Sequence, residues 1–133
     1  SGNKKKVFTI IAGNKKVIVL SSKSANDFYT RVYDVVSQIP LGKVTSYGAI
    51  AGYLGVESGA RMVGYAMNNY RSYNLEYELP AHRVLNRLGQ LTGRAHFEGD
   101  TMRERLLQEG VDFKEEYTVD IEKHFWNPSE HLD

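Results

Sequence analysis

Leu79-Pro80-Ala81-His82-Arg83-Val84 is the stretch from which the rest of the chain can be read. Proline fixes φ and the β-branched valine favours extension, so the run reads as a rigid turn feeding a short strand. A turn of this kind can place one side chain at the floor of a pocket, and here that side chain is the methyl group of Ala81. Upstream, Ser58-Gly-Ala-Arg-Met-Val-Gly-Tyr-Ala-Met-Asn68 reads as a helix, Ser58 capping a body from Gly59 to Asn68. Ala60, Val63 and Met67 fall on the face expected to pack inward; Arg61, Gly64, Tyr65 and Asn68 fall on the opposite side.

The preceding segments lead into that helix. Asn26 to Ile39 carries Phe28, Val32, Val35, Val36 and Ile39 at helical spacing, with Asn26 or Asp27 as N-cap and Pro40-Leu-Gly42 as the stop. Thr45 and Ser46 offer capping hydroxyls for Tyr47 to Leu54, which Gly55 closes. Two short helices joined by Gly55-Val-Glu have the spacing of a helix-turn-helix. Before them, Val7–Ile11 and Val17–Leu20 are β-branched runs around Gly13-Asn14, a hairpin signal.

Downstream, Asn69 to Glu78 is a polar, aromatic loop, Asn86-Arg-Leu-Gly89 a turn, and Thr101 to Glu109 a helix with Met102, Leu106 and Leu107 on one face. Gly110 closes that helix, and Phe125-Trp126-Asn-Pro128 reads as an aromatic packing anchor for the segment from Val111 to Asp133.

At 133 residues the chain is expected to form one domain. It contains no cysteine, which excludes disulfides, thiolate metal sites and thiol nucleophiles. No metal or cofactor is called for. No apolar run approaches the length of a membrane span, and Lys4-Lys5-Lys6 precedes only a short strand-like stretch. The expectation is a soluble, cytoplasmic protein, associated with the nucleoid if bacterial, whose leading Ser1-Gly2 reads as a processed tag remnant.

Charge is unevenly distributed. Residues 1–103 hold 14 Lys+Arg against 7 Asp+Glu, a net +7; residues 104–133 hold 3 against 9, a net −6. The basic part can track phosphates. The acidic part, a tail from about residue 111, is either a surface for protein contacts or a solvated extension.

Pro80-Ala81-His82-Arg83-Val84 resembles the Pro-Cys-His-Arg-Val active-site motif of the O6-alkylguanine-DNA alkyltransferases, with alanine at the cysteine that accepts the alkyl group. The chain therefore looks like the alkyltransferase-like proteins, which keep the DNA-binding domain and lack that cysteine. The resemblance runs from about Phe28 to Pro128 and implies a mainly α, α/β domain, winged helix-turn-helix-like, with short β elements. Residues 1–24 are then a separate short hairpin or tag-derived segment, and 25–133 the DNA-binding domain.

The resemblance also implies roles. The Ser58–Asn68 helix would enter the minor groove, with Arg61 filling the gap left by a flipped base. Gly64 would let the backbone sit deep, and Tyr65 and Asn68 (or Asn69) would contact DNA. Thr45 and Ser46 would add phosphate contacts at a helix N-terminus, and Tyr47 would press on the target nucleotide's phosphate. Pro80, Ala81, His82, Arg83 and Arg94 would form the lesion pocket with Tyr47. Arg94, thirteen residues after Ala81, would lay its cation on the base. His82 and Glu109 match the proton relay of the enzymes; left without a thiol to ionise, they read as a structural pair holding the pocket together, and Arg83 reads as bonding backbone carbonyls within the pocket wall, with an exposed phosphate contact as the alternative. A further implication is a roomier pocket than in relatives with tryptophan at the Ala81 position.

The implied function is non-catalytic recognition of O6-alkylguanine in duplex DNA by a monomer, which marks the lesion for nucleotide excision repair proteins. Two other readings stand beside it: an alkyltransferase whose cysteine was replaced by engineering, and a helix-turn-helix regulator of undamaged DNA. Gly59, Ala60 and Gly64 offer no groups to read base edges, which argues against the regulator.

Overall fold

The computed structural model describes residues 6–12, 15–21, 24–56 and 58–133, with side chains from Phe28 onward except at 57. Strands β1 (Lys6–Ala12) and β2 (Lys15–Ser21) pair antiparallel, Lys6 opposite Ser21 and Ala12 opposite Lys15. The turn expected at Gly13-Asn14 lies outside the described residues. Helix α1 (Ser24–Ser37) starts before Asn26 and Asp27, so neither residue is its N-cap. Its Val32, Val35 and Val36 are buried, as the helical spacing predicts, and so is Tyr33, which that spacing does not single out.

Two residues then form β3 (Thr45–Ser46), and the chain turns directly into α2 (Tyr47–Tyr53). The Ser46 hydroxyl caps α2 by accepting from the Ala49 N–H at 3.0 Å, satisfying one of the free donors of the first turn. Gly55, at φ 75°, reverses the chain after α2. Helix α3 (Ala60–Asn69) follows, with Gly59 rather than Ser58 at its N-cap; Ser58 itself sits at φ 57° and makes no cap. A Cβ on Gly59 would lie 2.8 Å from the Val56 carbonyl oxygen, so the link between the two helices requires glycine there. Helix α3 buries Val63, Ala66 and Met67; Ala60, expected inside, is exposed at the open end of the first turn. The Tyr33 hydroxyl donates to the Ala66 carbonyl at 2.7 Å, tying α1 to α3 inside the core.

After single 3-10 turns at Tyr70–Ser72 and Ala81–Arg83, the chain forms β4 (Val84–Leu85), parallel to β3 with Thr45 opposite Val84. This two-residue pairing brings the start of α2 beside Ala81, a juxtaposition of residues far apart in sequence. Helix α4 (Thr101–Gln108) buries Met102 and Leu106 but leaves Leu107 exposed, because Leu107 lies about 100° around the helix from Leu106.

The acidic segment is folded. Strands β5 (Phe113–Glu115) and β6 (Thr118–Val119) pair antiparallel, followed by short helices α5 (Ile121–His124) and α6 (Pro128–His131). Val44 bridges Phe125, and Trp126 donates its backbone N–H to the Val44 carbonyl at 2.8 Å. Trp126 is buried and stacks on His131, so it packs the segment down. Val111 and Val119 join Val44, Leu85, Leu91, Met102 and Leu106 in a second buried cluster beside the one built on α1, α2 and α3.

Gly89, at φ 83°, closes the Asn86 turn against this second cluster; a Cβ there would stand 2.5 Å from the Val119 carbonyl oxygen. Gly89→Ala is expected to cost about 2 kcal/mol or more, from left-handed strain and the backbone clash together. A urea unfolding curve checks this, and an unchanged midpoint would contradict it.

Candidate nucleic-acid interface

Helix α3 presents Arg61, Met62, Tyr65 and Asn68 to solvent. Gly64 lies among them, and a Cβ there would meet nothing within 4 Å, so the helix surface is open at its centre. Asn69 is spent on the helix, donating its side-chain amide to the Tyr65 carbonyl at 2.7 Å. Asn68 is therefore the asparagine free to face a ligand, and it also lines the pocket beside Ala81.

Thr45 and Ser46 do not reach this surface. Thr45 is fully buried with its hydroxyl unpartnered, and Ser46 is 6% exposed with its hydroxyl committed to the α2 cap. The phosphate contacts expected of these two hydroxyls are not available, because the β3–β4 pairing draws both residues inside.

Ala81 begins the 3-10 turn and lies against a pocket lined by Tyr47, Met67, Asn68, Tyr70, Arg71, Val84, Gly93, His96, Phe97 and Met102. Tyr47 is half-buried there; burial pushes its hydroxyl above its ordinary pKa, and a bond with the Thr92 hydroxyl partly offsets this. The space beside Ala81 is about 20 Å³, room for one water and not for a purine. That is less than the roomier pocket expected from alanine, in a lining that includes Met67, Met102, Phe97 and Arg71. Entry of a base requires these walls to part.

Four residues expected in the pocket lining are not on it. Pro80 precedes the turn as its N-cap. His82 is wholly buried, its Nε2 2.8 Å from Glu109 Oε2. Arg83 donates from Nε and Nη2 to both Glu109 oxygens at 2.9 Å and from Nη1 to the Ile39 carbonyl at 2.8 Å. Arg94 lies with its guanidinium carbon 3.8 Å over the Tyr117 ring, so a base contact would need it to leave that ring.

The Glu109 cluster has a definite protonation state. Burial raises the Glu109 pKa, but bonds from Arg83 and His82 outweigh it and bring the carboxyl down to about 2. Burial pushes the His82 pKa below its ordinary value, against the opposing pull of Glu109. A neutral His82 facing an ionised carboxylate donates from Nε2, which leaves Nδ1 as a bare acceptor; that atom is buried without a partner. Among the described residues no group of three or more His, Asp or Glu is placed to hold a metal ion.

Arg71, His96 and Phe97 were not legible as pocket residues. Arg71 lies in the Asn69–Glu78 loop, where only the neighbouring Tyr70 hinted at an aromatic-cation surface. His96 and Phe97 come from a 3-10 turn with no periodicity to read.

Residues 27–111 match the family described as 6-O-methylguanine DNA methyltransferase, DNA binding domain. Alkyltransferase-like protein 1 of Schizosaccharomyces pombe is 40% identical over 108 residues, covering 77% of this chain and 97% of that protein. A DNA base-flipping protein of Vibrio parahaemolyticus is 32% identical over 103 residues, covering 77% and 99%. The crystal structure of the S. pombe protein in complex with damaged DNA containing O6-carboxymethylguanine superposes with a TM-score of 0.64, again over 77% and 97% of the two chains. Sequence and fold agree over the same span, and the residue at the alkyl-accepting position is an alanine: the chain belongs to the 6-O-methylguanine DNA methyltransferase family, among its alkyltransferase-like members.

Proposed function

We propose that this protein binds duplex DNA through the minor groove, turns an O6-alkylguanine into the pocket beside Ala81 and holds it there without transferring the alkyl group. One observation carries this reading. The side chain that the family's chemistry needs as a thiol is a methyl group at the pocket floor, in a chain of 133 residues with no cysteine. The exposed Arg61, Tyr65 and Asn68 beside the open surface at Gly64 support groove binding, with Arg61 as the group that fills the vacated stack. The likeness to a protein crystallised on damaged DNA supports the choice of ligand.

Holding a base outside the helix converts a small lesion into a bulky distortion, which suits recruitment of nucleotide excision repair proteins. A single lesion pocket per chain requires only a monomer.

The test is mass spectrometry after saturating the protein with a duplex bearing O6-methylguanine. The expected result is an unchanged protein mass and an intact lesion. A protein heavier by one methyl group, or DNA restored to guanine, would overturn the reading.

A further inference from the structure

The positive charge of the chain is concentrated ahead of the family domain. Residues 1–26 hold six lysines and no Asp, Glu or Arg; residues 27–133 hold 11 Lys+Arg against 16 Asp+Glu, a net −5. The match to the DNA-binding domain runs over residues 27–111, so strands β1 and β2 precede it. Of the net +7 carried by residues 1–103, six charges belong to that short leading segment and one to the rest.

A body of net −5 is repelled by a duplex, which carries one negative charge per about 1.7 Å of its axis. Several cations of the domain are also spent on its own carboxylates: Arg83 on Glu109, Arg105 on Glu78 and Lys123 on Asp112. The lysines of residues 1–26 have no carboxylate in their own segment to pair with. An ammonium is a compact charge on a flexible stem, suited to phosphates that present no fixed geometry.

The backbone sets where three of these charges stand. In the β1–β2 ladder Lys6 is opposite Ser21 at one end and Lys15 is opposite Ala12 at the other, with Lys16 next to it. Six residue steps separate the two ends, about 20 Å of extended chain. Along that length a duplex presents about six phosphates on each strand. Both strands lie against α1, and α1 lies against α3, where the Tyr33 hydroxyl joins them. The hairpin is therefore one helix removed from the helix proposed to enter the groove.

We propose that the β1–β2 hairpin is a second DNA-contacting element, which binds the phosphate backbone of duplex DNA through Lys6, Lys15 and Lys16 without preference for sequence or lesion. This rests on the DNA binding proposed above and adds the electrostatic attraction that the acidic domain lacks. Lesion choice stays with the pocket beside Ala81, and the hairpin raises affinity for any duplex.

The test compares the full chain with its Lys6→Gln/Lys15→Gln/Lys16→Gln variant on two duplexes that differ only in one O6-methylguanine. Affinity is measured by fluorescence anisotropy over a series of salt concentrations. The variant is expected to lose about tenfold on both duplexes at low salt, and its slope of log affinity against log salt to be shallower by about 2 to 3. The ratio of affinities for the two duplexes is expected to stay the same. Lys6→Arg/Lys15→Arg/Lys16→Arg keeps the charge and is expected to match the native chain. An unchanged salt slope in the glutamine variant overturns the proposal; if the native chain then binds anionic phosphatidylserine vesicles and the variant does not, the lysines serve a membrane surface. An arginine variant as weak as the glutamine one also overturns it, because the hairpin then acts through its fold and not its charge. A native preference for the lesion with no change of slope in the glutamine variant removes the hairpin's role alone. A native chain that binds both duplexes equally removes the base-holding function, and the slope still decides the role of the hairpin.

Discussion

Glu109→Ala is expected to destabilise the fold by about 3–5 kcal/mol, a large share of the stability of a domain of this size. Glu109 accepts from Arg83 through both oxygens and from His82 through one, and its side chain is 12% exposed. Truncation leaves the fully buried His82 without its acceptor and the 14% exposed Arg83 guanidinium with one neutral partner, the Ile39 carbonyl. Uncompensated buried charge is more costly than the loss of the pair as such. The consequence reaches the pocket, since Ala81 heads the turn that holds His82 and Arg83. Thermal or urea unfolding measures the effect, and a loss below about 1 kcal/mol would show that the cluster does not anchor the turn.

The same cluster sets the response to acid. Glu109, held down to about 2 in the folded chain, contributes stability that is complete above its ordinary pKa of 4.5 and is lost as pH falls from there towards 2. His82, whose pKa is lowered by burial, takes its proton more readily in the unfolded chain, so its contribution begins to fall below its ordinary pKa of 6.5. Stability is therefore expected to decline steadily with acidification from about pH 6.5. Glu109→Gln should flatten the part of the decline below pH 4.5, because the amide does not titrate. An identical slope in the variant would assign the acid sensitivity to other groups.

Arg61→Ala is expected to lower affinity for a duplex carrying O6-alkylguanine by about ten- to a hundredfold, equivalent to about 1.4–2.8 kcal/mol. Extruding a base costs about a few kcal/mol of stacking and pairing, and in the proposed binding mode Arg61 recovers part of that by occupying the gap. It projects from the first turn of α3, exposed, one turn before the open surface at Gly64. The discriminating comparison is the undamaged duplex, where no base is held out and the loss should be several-fold smaller. An equal loss on both duplexes, with a reduced salt dependence, would make Arg61 an ordinary phosphate contact.

The parts of the fold that could be read from the sequence are those whose cause is local. The cap at Ser46, the stop at Gly55, the buried face of α1 and the turn at Pro80 each depend on residues within a few positions of one another. Even there, Ser58 failed as a cap because the chain passes through it in a left-handed conformation, which leaves Gly59 at the start of α3. The second buried cluster was not legible. It depends on strands of two or three residues, β3 with β4 and β5 with β6, too short to show alternation, and on the long-range bridge from Val44 to Phe125. For the same reason the segment after Val111 read as an acidic tail when it closes the domain.

The site divides in the same way. Arg61, Tyr65 and Asn68 are exposed on α3, and Tyr47, Asn68 and Ala81 line one pocket. Thr45 and Ser46 are consumed by the fold, since polar side chains beside a motif are as readily used to hold a turn as to meet a ligand; His82 pairs with Glu109 and Arg83 bonds the Ile39 carbonyl, the structural parts the motif suggests for them. Arg71 and Phe97, which both line the pocket, come together from segments 26 positions apart and no local pattern announces them.

The most direct test of this account is the affinity of the protein for a duplex with one O6-methylguanine against the same duplex with guanine, at one fixed salt concentration. The account predicts a clear preference for the lesion. Equal, weak and salt-sensitive binding to both would contradict it and leave a domain that recognises only the phosphate backbone.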